Sequence, residues 1–536
     1  MVFLGLHNDS RRCASSNAHE PEGLTDEEPI SLSVVVRTSH HDYCMKTVFV
    51  SFCFQQVKLL LLVGLRLFSC ILFGPQTDSV LVATAMSTPA ATPPKTKIAV
   101  IGAGAAGLAA TRAISQLNDD NMIPKTLEKD PALGGVWRHV ANSKSRPMYK
   151  GLRTNLPKEV MAFREKPWNT TKRKVEDSFI THSQVLQYLN DYREEFDLEQ
   201  FITYGAEVQQ LTMLSSKSSS PSSSRLSPPT GETWPQIQID WEEPSVDGNN
   251  DSSRVCKSEV FDGVLICNGH YSKPSIPSLP GLKEYFQGTI MHSIEYDDPT
   301  LFAGQTVLCV GGRASGADLA REISFHAKYV YLSDTTCPRK QQDRDQQRVM
   351  GNVEWVPTTV EVLEDGSIQF DDEDVAKPRV DTIIFCTGYD YSFPFINDQS
   401  NLDLDCVPGE RRVKPLYEQF LHARYPNVAF IGLPHSVVPF PLFELQVEAA
   451  LAQWNSRGVN GDKQKNGSFR LPPLADRLKS AADDSVSGGA KVNGRVQDTH
   501  YLGGAQWDYC RKMAEMAGNY DHEMEDYIAM NKVREC

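Results

Sequence analysis

The stretch Lys97-Ile98-Ala99-Val100-Ile101-Gly102-Ala103-Gly104-Ala105-Ala106-Gly107 decides the fold. Its apolar, mostly β-branched beginning predicts a short buried strand, and the following run Leu108–Leu117 favours a helix. The glycines between them have the Gly-x-Gly-x-x-Gly spacing of a phosphate-binding turn: Gly102 permits a tight turn, Gly104 lets the backbone approach a pyrophosphate, and Gly107 lets helix and strand pack closely. Because the helix N-terminus then faces the phosphates, we predict a dinucleotide site at residues 102–107.

An acidic residue supports this prediction. Glu128 follows the next predicted strand, Pro124–Leu127. An acid there accepts hydrogen bonds from ribose hydroxyls and repels a 2′-phosphate, so this turn is expected to prefer FAD or NAD over NADP. The sequence Gly134-Gly135-Val136-Trp137 then suits a longer cofactor that carries a flavin, although a tryptophan that caps the core explains it equally well.

A second set of the same parts appears later in the chain. The predicted strand Thr306–Val310 runs into Gly311-Gly312-Arg313-Ala314-Ser315-Gly316, and a predicted helix, Ala317–Phe325, follows. Arg313 takes the middle glycine position, where its Cβ weakens the fingerprint while its guanidinium can contact phosphate directly. Residues 261–269 and 380–388 each contain Asp, a strand, Cys, a small polar residue and Gly, and this repeat indicates two related units.

These observations predict an α/β fold with two nested Rossmann-like dinucleotide-binding domains, the second inserted into the first. The expected division is a first part of the first domain at 96–271, the inserted domain at 272–385, and a return to the first domain with the C-terminal region at 386–536. Residues 215–230 are rich in Ser and Pro and are predicted to be a disordered insertion.

Residues 1–95 differ from the rest of the chain. They contain the apolar runs Val48–Phe54 and Leu59–Phe73, which admit three interpretations of similar weight. The segment 57–75 contacts a membrane, Met45–Ala85 is a secretion signal, or the extension is dispensable. A cytoplasmic or endoplasmic-reticulum-associated location is favoured, with secretion expected if the signal interpretation holds.

Charge and cysteine content exclude some classes of protein. The net charge of −14 argues against a nucleic-acid partner, whose binding needs basic patches. The 12 cysteines include no Cys-x-x-Cys pair, which counts against a dithiol reductase and against a zinc site. We therefore predict no metal.

Four motifs in order resemble the flavin-containing monooxygenases over about residues 96–455. The most specific is Phe286–Tyr296, which matches the family's F-x-G-x-x-x-H-x-x-x-Y/F signature without a mismatch. Phe385-Cys386-Thr387-Gly388-Tyr389 is similar to F-A-T-G-Y, and the stretches Tyr149–Lys158 and Pro439–Gln446 also look like family segments.

The resemblance implies two cofactors and a reaction. FAD would occupy the first domain and NADPH the inserted one. NADPH would reduce FAD, and the reduced flavin would take up O₂ as a C4a-hydroperoxyflavin that oxygenates the nitrogen or sulfur centre of a small amine or sulfur substrate. The expected reagents are thus this substrate and O₂.

The resemblance also assigns residues to the two cofactors. Asn155 is expected nearest the reactive edge of the flavin, in the catalytic role, and His292 is expected to be structural. The FAD contacts carried over lie in the first turn and after it and include Asn155. The NADP contacts are Thr154 and Asn155 together with Ser315, Gly316, Ala317 and Asp318 of the second turn. By this carry-over the cofactor-binding residues are Gly102, Ala103, Gly104, Ala105, Ala106, Gly107, Glu128, Val136, Trp137, Thr154, Asn155, Leu156, Gly311, Arg313, Ser315, Gly316, Ala317 and Asp318.

One departure from the family pattern concerns the 2′-phosphate of NADPH. The strand Tyr329–Leu332 leads to Asp334, where a cation is usual; Arg313, Arg339 and Lys340 are the nearby cations. Two alternatives stay open. One is a Baeyer–Villiger monooxygenase, whose signature ends in Trp where this chain has Tyr296. The other is a non-catalytic nucleotide-binding protein, favoured only by Arg313 and Asp334.

Overall fold

The computed structural model describes residues 95–117, 122–168, 176–214, 224–226, 230–245, 253–338, 351–406, 408–409, 411–455, 469–483 and 499–535. The predictions for the membrane segment 57–75 and the signal Met45–Ala85 lie outside these residues, as do Arg339 and Lys340. None of the helices in the described part of the chain is long and apolar enough to cross a membrane.

The described chain alternates strands and helices. The strands are β1 Thr96–Ile101, β2 Met122–Glu128, β3 Ile202–Tyr204, β4 Glu207–Met213, β5 Ile237–Pro244, β6 Arg254–Phe261, β7 Gly263–Ile266, β8 Lys273–Pro274, β9 Thr289–His292, β10 Thr306–Val310, β11 Tyr329–Ser333, β12 Val353–Val356, β13 Thr359–Val362, β14 Ile368–Phe370, β15 Thr382–Phe385, β16 Tyr389–Asp390, β17 Leu416–Tyr417, β18 Leu421–His422 and β19 Val428–Phe430. The α-helices are α1 Ala105–Gln116, α2 His182–Glu195, α3 Leu282–Tyr285, α4 Ala314–Ser324, α5 Pro439–Trp454, α6 Leu474–Ala482, α7 Gln506–Ala517 and α8 His522–Glu535.

The first sheet has the order β17-β18-β19-β7-β1-β2-β3. Its central strand β1 pairs in parallel with β2 and β7, and Ile98, Ala99 and Val100 are fully buried because both faces of the sheet are covered. Ala105, Ala106, Ala109 and Ala110 of α1 are buried as well, and their small side chains let this helix lie close to the sheet. The predicted strand and helix around the first glycine-rich turn are therefore present.

The second sheet has the order β12-β11-β10-β15-β9, with every pair parallel. Its central strand β10 is flanked by β11 and β15, as β1 is flanked by β2 and β7. All its strands come from residues between β7 and β19, which are neighbours in the first sheet. The predicted nesting of one Rossmann-like unit inside the other is confirmed.

Two adjacent linkers connect the units. The outgoing β8 pairs antiparallel with the returning β16. The Ser275 N–H donates to Gly388 O at 2.9 Å, and the Thr387 hydroxyl donates to Ser275 O at 2.5 Å. The two units are thus joined by a short two-stranded ribbon.

A three-stranded antiparallel sheet, β4-β5-β6, accompanies the first unit. Residues 224–226, which precede β5, contact Asp262 at the junction of β6 and β7. The Arg225 N–H donates to Asp262 at 2.9 Å, and Leu226 is buried. These three residues therefore differ from the predicted disorder of 215–230, because the Asp262 carboxylate binds the Arg225 N–H and the Trp234 carbonyl oxygen binds the Ser224 N–H at 2.8 Å. Thr230 is also described, and the other residues of that segment lie outside the described part.

Candidate active site

The first glycine-rich turn contains glycines of two kinds. Gly102 has φ +101°, and a Cβ there would lie 2.6 Å from Cys267 O. A Cβ at Gly107 would lie 1.8 Å from Gly102 O, so these two glycines are required by the protein itself. A Cβ at Gly104, in contrast, would meet nothing closer than the Gly135 Cα at 3.6 Å. The open space in front of the α1 N-terminus therefore fits the close approach of a pyrophosphate.

The predicted acid and the second glycine pair meet at this turn. Glu128 is only 4% exposed and accepts the N–H groups of Ala103 at 2.6 Å and Asp130 at 2.9 Å. Burial raises the pKa of Glu128, and the two backbone hydrogen bonds act in the opposite direction. The Gly134 N–H donates to Ala103 O at 3.0 Å. The structure thus brings together the parts that the sequence predicted for FAD.

Four further predicted cofactor residues lie around the turn. Val136 is half-buried in the 3₁₀ helix Gly135–Trp137, and Trp137 is buried in the core. Ala105 and Ala106 begin α1 with their side chains buried, so only their backbone N–H groups face the site.

Arg146 is a residue that the sequence analysis missed. Its guanidinium donates to Gly135 O at 3.2 Å and forms an ion pair with Asp130. It lies in an irregular segment without periodicity, so no sequence signal connected it to the turn. It places a cation beside an otherwise acidic corner of the first site.

The second turn repeats the geometry of the first. Gly311 has φ +105°, a Cβ there would lie 2.7 Å from Cys386 O, and a Cβ at Gly316 would lie 1.8 Å from Gly311 O. Arg313 is exposed at the N-cap of α4 with φ −67° and ψ −175°, close to the φ −76° and ψ −170° of Gly104. The arginine therefore sits in the middle position without backbone strain, and Ser315 and Ala317 follow it in the first turn of α4.

The repeated Asp-strand-Cys ending is structural. The Lys97 N–H donates to Asp262 at 3.0 Å, and the Thr306 N–H donates to Asp381 at 2.7 Å. In both units the cysteine N–H then bonds the last residue of the central strand, at 2.9 Å in the first and 2.8 Å in the second. Each Asp thus connects the start of the strand that follows it, β7 or β15, to the start of the central strand, β1 or β10.

The loop 149–158 presents Asn155 to solvent. The Thr154 N–H donates to Ile180 O at 2.8 Å, and its hydroxyl accepts the Ile180 N–H at 3.0 Å. Leu156 is buried in the core on the other side of Asn155. The two neighbours fix the backbone, so the exposed Asn155 amide is left to contact a ligand.

Tyr149 fastens the same loop to helix α4. Its hydroxyl donates to Asp318, and the Tyr296 hydroxyl donates to Glu322 at 2.8 Å, with the two rings edge to face at 5.1 Å. A Cβ at Gly151 would lie 2.4 Å from the Glu322 carboxylate. We call these five residues the tyrosine clasp. It was not foreseen, and it engages Asp318, a predicted NADP contact.

His292 connects the Phe286–Tyr296 motif to the returning linker at Gly388. It is 1% exposed, its Nδ1 accepts the Ile294 N–H at 3.1 Å, and its Nε2 lies 3.1 Å from Gly388 O. Burial lowers the pKa of His292, which favours the neutral ring. This position at the junction of the two units is the structural one that the sequence favoured.

Two Rossmann-like units, an intact FAD-type turn and an exposed Asn155 on a loop fastened to the second unit define a two-nucleotide flavoprotein. The family model described as flavin-binding monooxygenase-like matches residues 95–339 and 340–486. The chain belongs to this family and is an oxidoreductase whose cofactors are FAD and NADPH.

Individual relatives agree with this assignment. The flavin-containing monooxygenase FMO GS-OX5 of Arabidopsis thaliana is 32% identical over 453 residues, 81% of this chain and 87% of the relative. The structure of S-allyl-L-cysteine S-oxygenase from Allium sativum matches with a TM-score of 0.64 and 27% identity, over 82% of this chain and 93% of the other. Tmm from Pelagibacter sp. strain HTCC7211 has the same fold, with a TM-score of 0.61 and 22% identity over 82% of this chain and 90% of the other.

Proposed function

We propose that this chain is an NADPH- and O₂-dependent monooxygenase that oxygenates a soft nucleophilic nitrogen or sulfur centre, with thioether sulfur as the first choice. The observation that carries the proposal is the first turn, where Gly104 leaves open space beside Glu128 that the protein itself does not need. The choice of sulfur rests on the similarity to the structure of S-allyl-L-cysteine S-oxygenase from Allium sativum.

The proposed reaction for a thioether is R₂S + O₂ + NADPH + H⁺ → R₂SO + NADP⁺ + H₂O. FAD, when bound, supplies the activation of O₂ that side chains lack. The sulfur lone pair forms the new S–O bond, and the second oxygen atom leaves as water with two electrons from NADPH. Because the substrate is itself the nucleophile, the protein needs no nucleophilic side chain.

The residues of the chain bind and orient the reactants. The N-termini of α1 and α4 face the two pyrophosphates, and Glu128 is placed for the ribose of the first nucleotide. The Asn155 amide offers both a donor and an acceptor at the exposed point of its loop. The Thr154–Ile180 hydrogen bonds and the tyrosine clasp hold that loop in a fixed relation to α4, which would keep Asn155 in place beside a dinucleotide bound at the second turn.

Flavin binding is the first test. We expect the purified full chain to be yellow, with flavin absorbance near one FAD per chain. Gly104→Val should abolish FAD retention, because the added side chain fills the space for the pyrophosphate while its Cβ makes only an ordinary contact with the protein, 3.6 Å from the Gly135 Cα. Gly351→Val is the matched control, since a Cβ at Gly351 meets nothing within 4 Å and this glycine lies outside both turns. A colourless protein that cannot be loaded with FAD would point to the non-catalytic alternative.

Substrate class is the second test. NADPH oxidation and product formation are measured with a thioether, a tertiary amine and a cyclic ketone. We expect sulfoxide or N-oxide and little lactone. Selective oxygenation of the ketone would replace the proposal with the Baeyer–Villiger alternative.

A further inference from the structure

The second unit carries an acid where the first carries Glu128. In the first sheet Ile101 is opposite Leu127, and in the second Val310 is opposite Ser333. The N–H of the first glycine of each turn donates to that opposite residue, at 2.8 Å in both units. Asp334, the next residue after Ser333, therefore takes the place of Glu128.

The position of the Asp334 carboxylate is fixed by the turn. A Cβ at Gly312 would lie 2.6 Å from the Asp334 Cβ and 2.7 Å from its Oδ2, so Gly312 leaves the space that this side chain fills. The hydroxyls of Thr336 and Thr335 donate to the carboxylate at 2.8 and 3.3 Å. Among the residues that the structure describes, no lysine or arginine forms an ion pair with Asp334. The negative charge thus lies against the nucleotide turn, half-buried and supported by neutral donors.

This corner of a Rossmann unit receives the adenosine ribose. An acid there accepts hydrogen bonds from the ribose hydroxyls, whereas a 2′-phosphate is normally met by a cation. The 2′-phosphate carries a charge of about −1.5 to −2 at neutral pH, so a carboxylate at this place repels it. Asp334 therefore fits the pyrophosphate and ribose of a nicotinamide dinucleotide but does not fit the phosphate that distinguishes NADPH from NADH.

We infer that Asp334 is a specificity-determining residue of the second nucleotide site and removes most of the preference for NADPH over NADH. NADH then serves as a second reductant, with the same electron and proton balance as NADPH. The use of NADH as reductant rests on the proposed function, whereas the binding preference is a property of the turn alone.

The test compares the Kd of NAD⁺ and NADP⁺ for the full chain by titration calorimetry at one fixed ionic strength. We expect the two values to agree within about tenfold, a difference of about 1.4 kcal/mol. Asp334→Asn keeps the shape of the side chain and removes its charge, so NADP⁺ should bind about tenfold more tightly while NAD⁺ changes little or weakens. Glu284→Gln, an exposed charge loss in α3 of the same unit, should leave the ratio unchanged.

A second variant keeps Asp334 and tests the same corner. Thr335→Arg adds a guanidinium at an exposed neighbouring position and should tighten NADP⁺ by about tenfold or more relative to NAD⁺. The inference is overturned if the wild-type chain binds NADP⁺ more than about tenfold more tightly than NAD⁺, or if both variants leave the ratio at its wild-type value.

The two proposals fail in different ways. A flavin-loaded chain that forms sulfoxide but accepts only NADPH overturns the inference on Asp334 and leaves the proposed function standing. A chain that binds both dinucleotides alike but never retains FAD supports the assignment of Asp334 while overturning the proposed function.

Discussion

The two glycine-rich turns differ at the positions that face a ligand and agree at the positions that face the protein. Their outer glycines make the same contacts, with a Cβ 1.8 Å from a carbonyl oxygen at both Gly107 and Gly316. Their middle residues share one backbone conformation but are Gly104 in one turn and Arg313 in the other. The outer glycines are required by the fold, whereas Gly104 and Arg313, with the acids Glu128 and Asp334, lie where we propose that the two nucleotides bind.

The largest expected effect comes from the outer glycines. Gly107→Ala and Gly316→Ala each place a Cβ against backbone that cannot move aside, so each should reduce the free energy of unfolding by about 3 kcal/mol or more. Urea unfolding measures the change, and poor expression of both variants would be the extreme form of the same result. If only one of the two were sensitive, the equivalence of the turns would be wrong.

A smaller effect is expected where the second turn is connected to the active-site loop. Tyr149→Phe removes the hydrogen bond to Asp318 but keeps the ring packed on Tyr296, so FAD content should be unchanged and the free energy of unfolding should fall by about 1–3 kcal/mol. Anaerobic flavin reduction by NADPH should slow about tenfold, because the nicotinamide would no longer be held in the correct orientation to the flavin.

The control for this variant is Tyr331→Phe, a tyrosine on β11 of the same unit that lies outside the clasp. It should leave the reduction rate unchanged. A Tyr149→Phe enzyme that loses stability but reduces its flavin at the normal rate would make the clasp a packing feature only.

The smallest expected effect concerns the acid of the first turn. Burial raises the pKa of Glu128 above its ordinary value of 4.5. Protonated Glu128 therefore contributes to the free energy of unfolding. This contribution is fully present below pH 4.5 and is lost as the pH rises through the higher pKa of the folded state. Glu128→Gln removes this titration, so the fall in the free energy of unfolding with rising pH should become shallower by about 1 kcal/mol.

Glu259 provides a control of opposite sign. Its ion pairs with Lys97 and Lys125 accompany a lowered pKa, so Glu259→Gln should lose stability that is present above pH 4.5. Urea unfolding of both variants over pH 4–8 compares them. A Glu128→Gln profile parallel to that of the wild-type chain would show that burial does not perturb this acid.

The sequence predicted the parts that depend on local pattern. The strand Thr306–Val310 has the expected bounds because it is a continuous, mostly apolar run that ends at the glycine motif. The helices after the two turns begin three residues earlier than predicted, at Ala105 and Ala314, inside the glycine motif. Residue composition does not predict this earlier helix start. Gly107 and Gly316 are helical because they pack against the preceding turn and not because glycine favours a helix.

The long-range contacts of the site could not be predicted. Arg146 reaches Gly135 from an irregular segment, and Tyr149 reaches Asp318 across the junction of the two units. Such pairs have no periodicity, and only the folded chain brings them together. The cofactor roles of individual residues, Asn155 above all, remain predictions.

Isotope labelling tests the central claim most directly. The full chain is incubated with NADPH, a thioether and ¹⁸O₂ in unlabelled water, and the product is analysed by mass spectrometry. A flavin monooxygenase of the proposed kind gives a sulfoxide that carries one ¹⁸O atom, in an amount that approaches the NADPH consumed. Consumption of NADPH with only hydrogen peroxide formed, or a sulfoxide without label, would contradict the account.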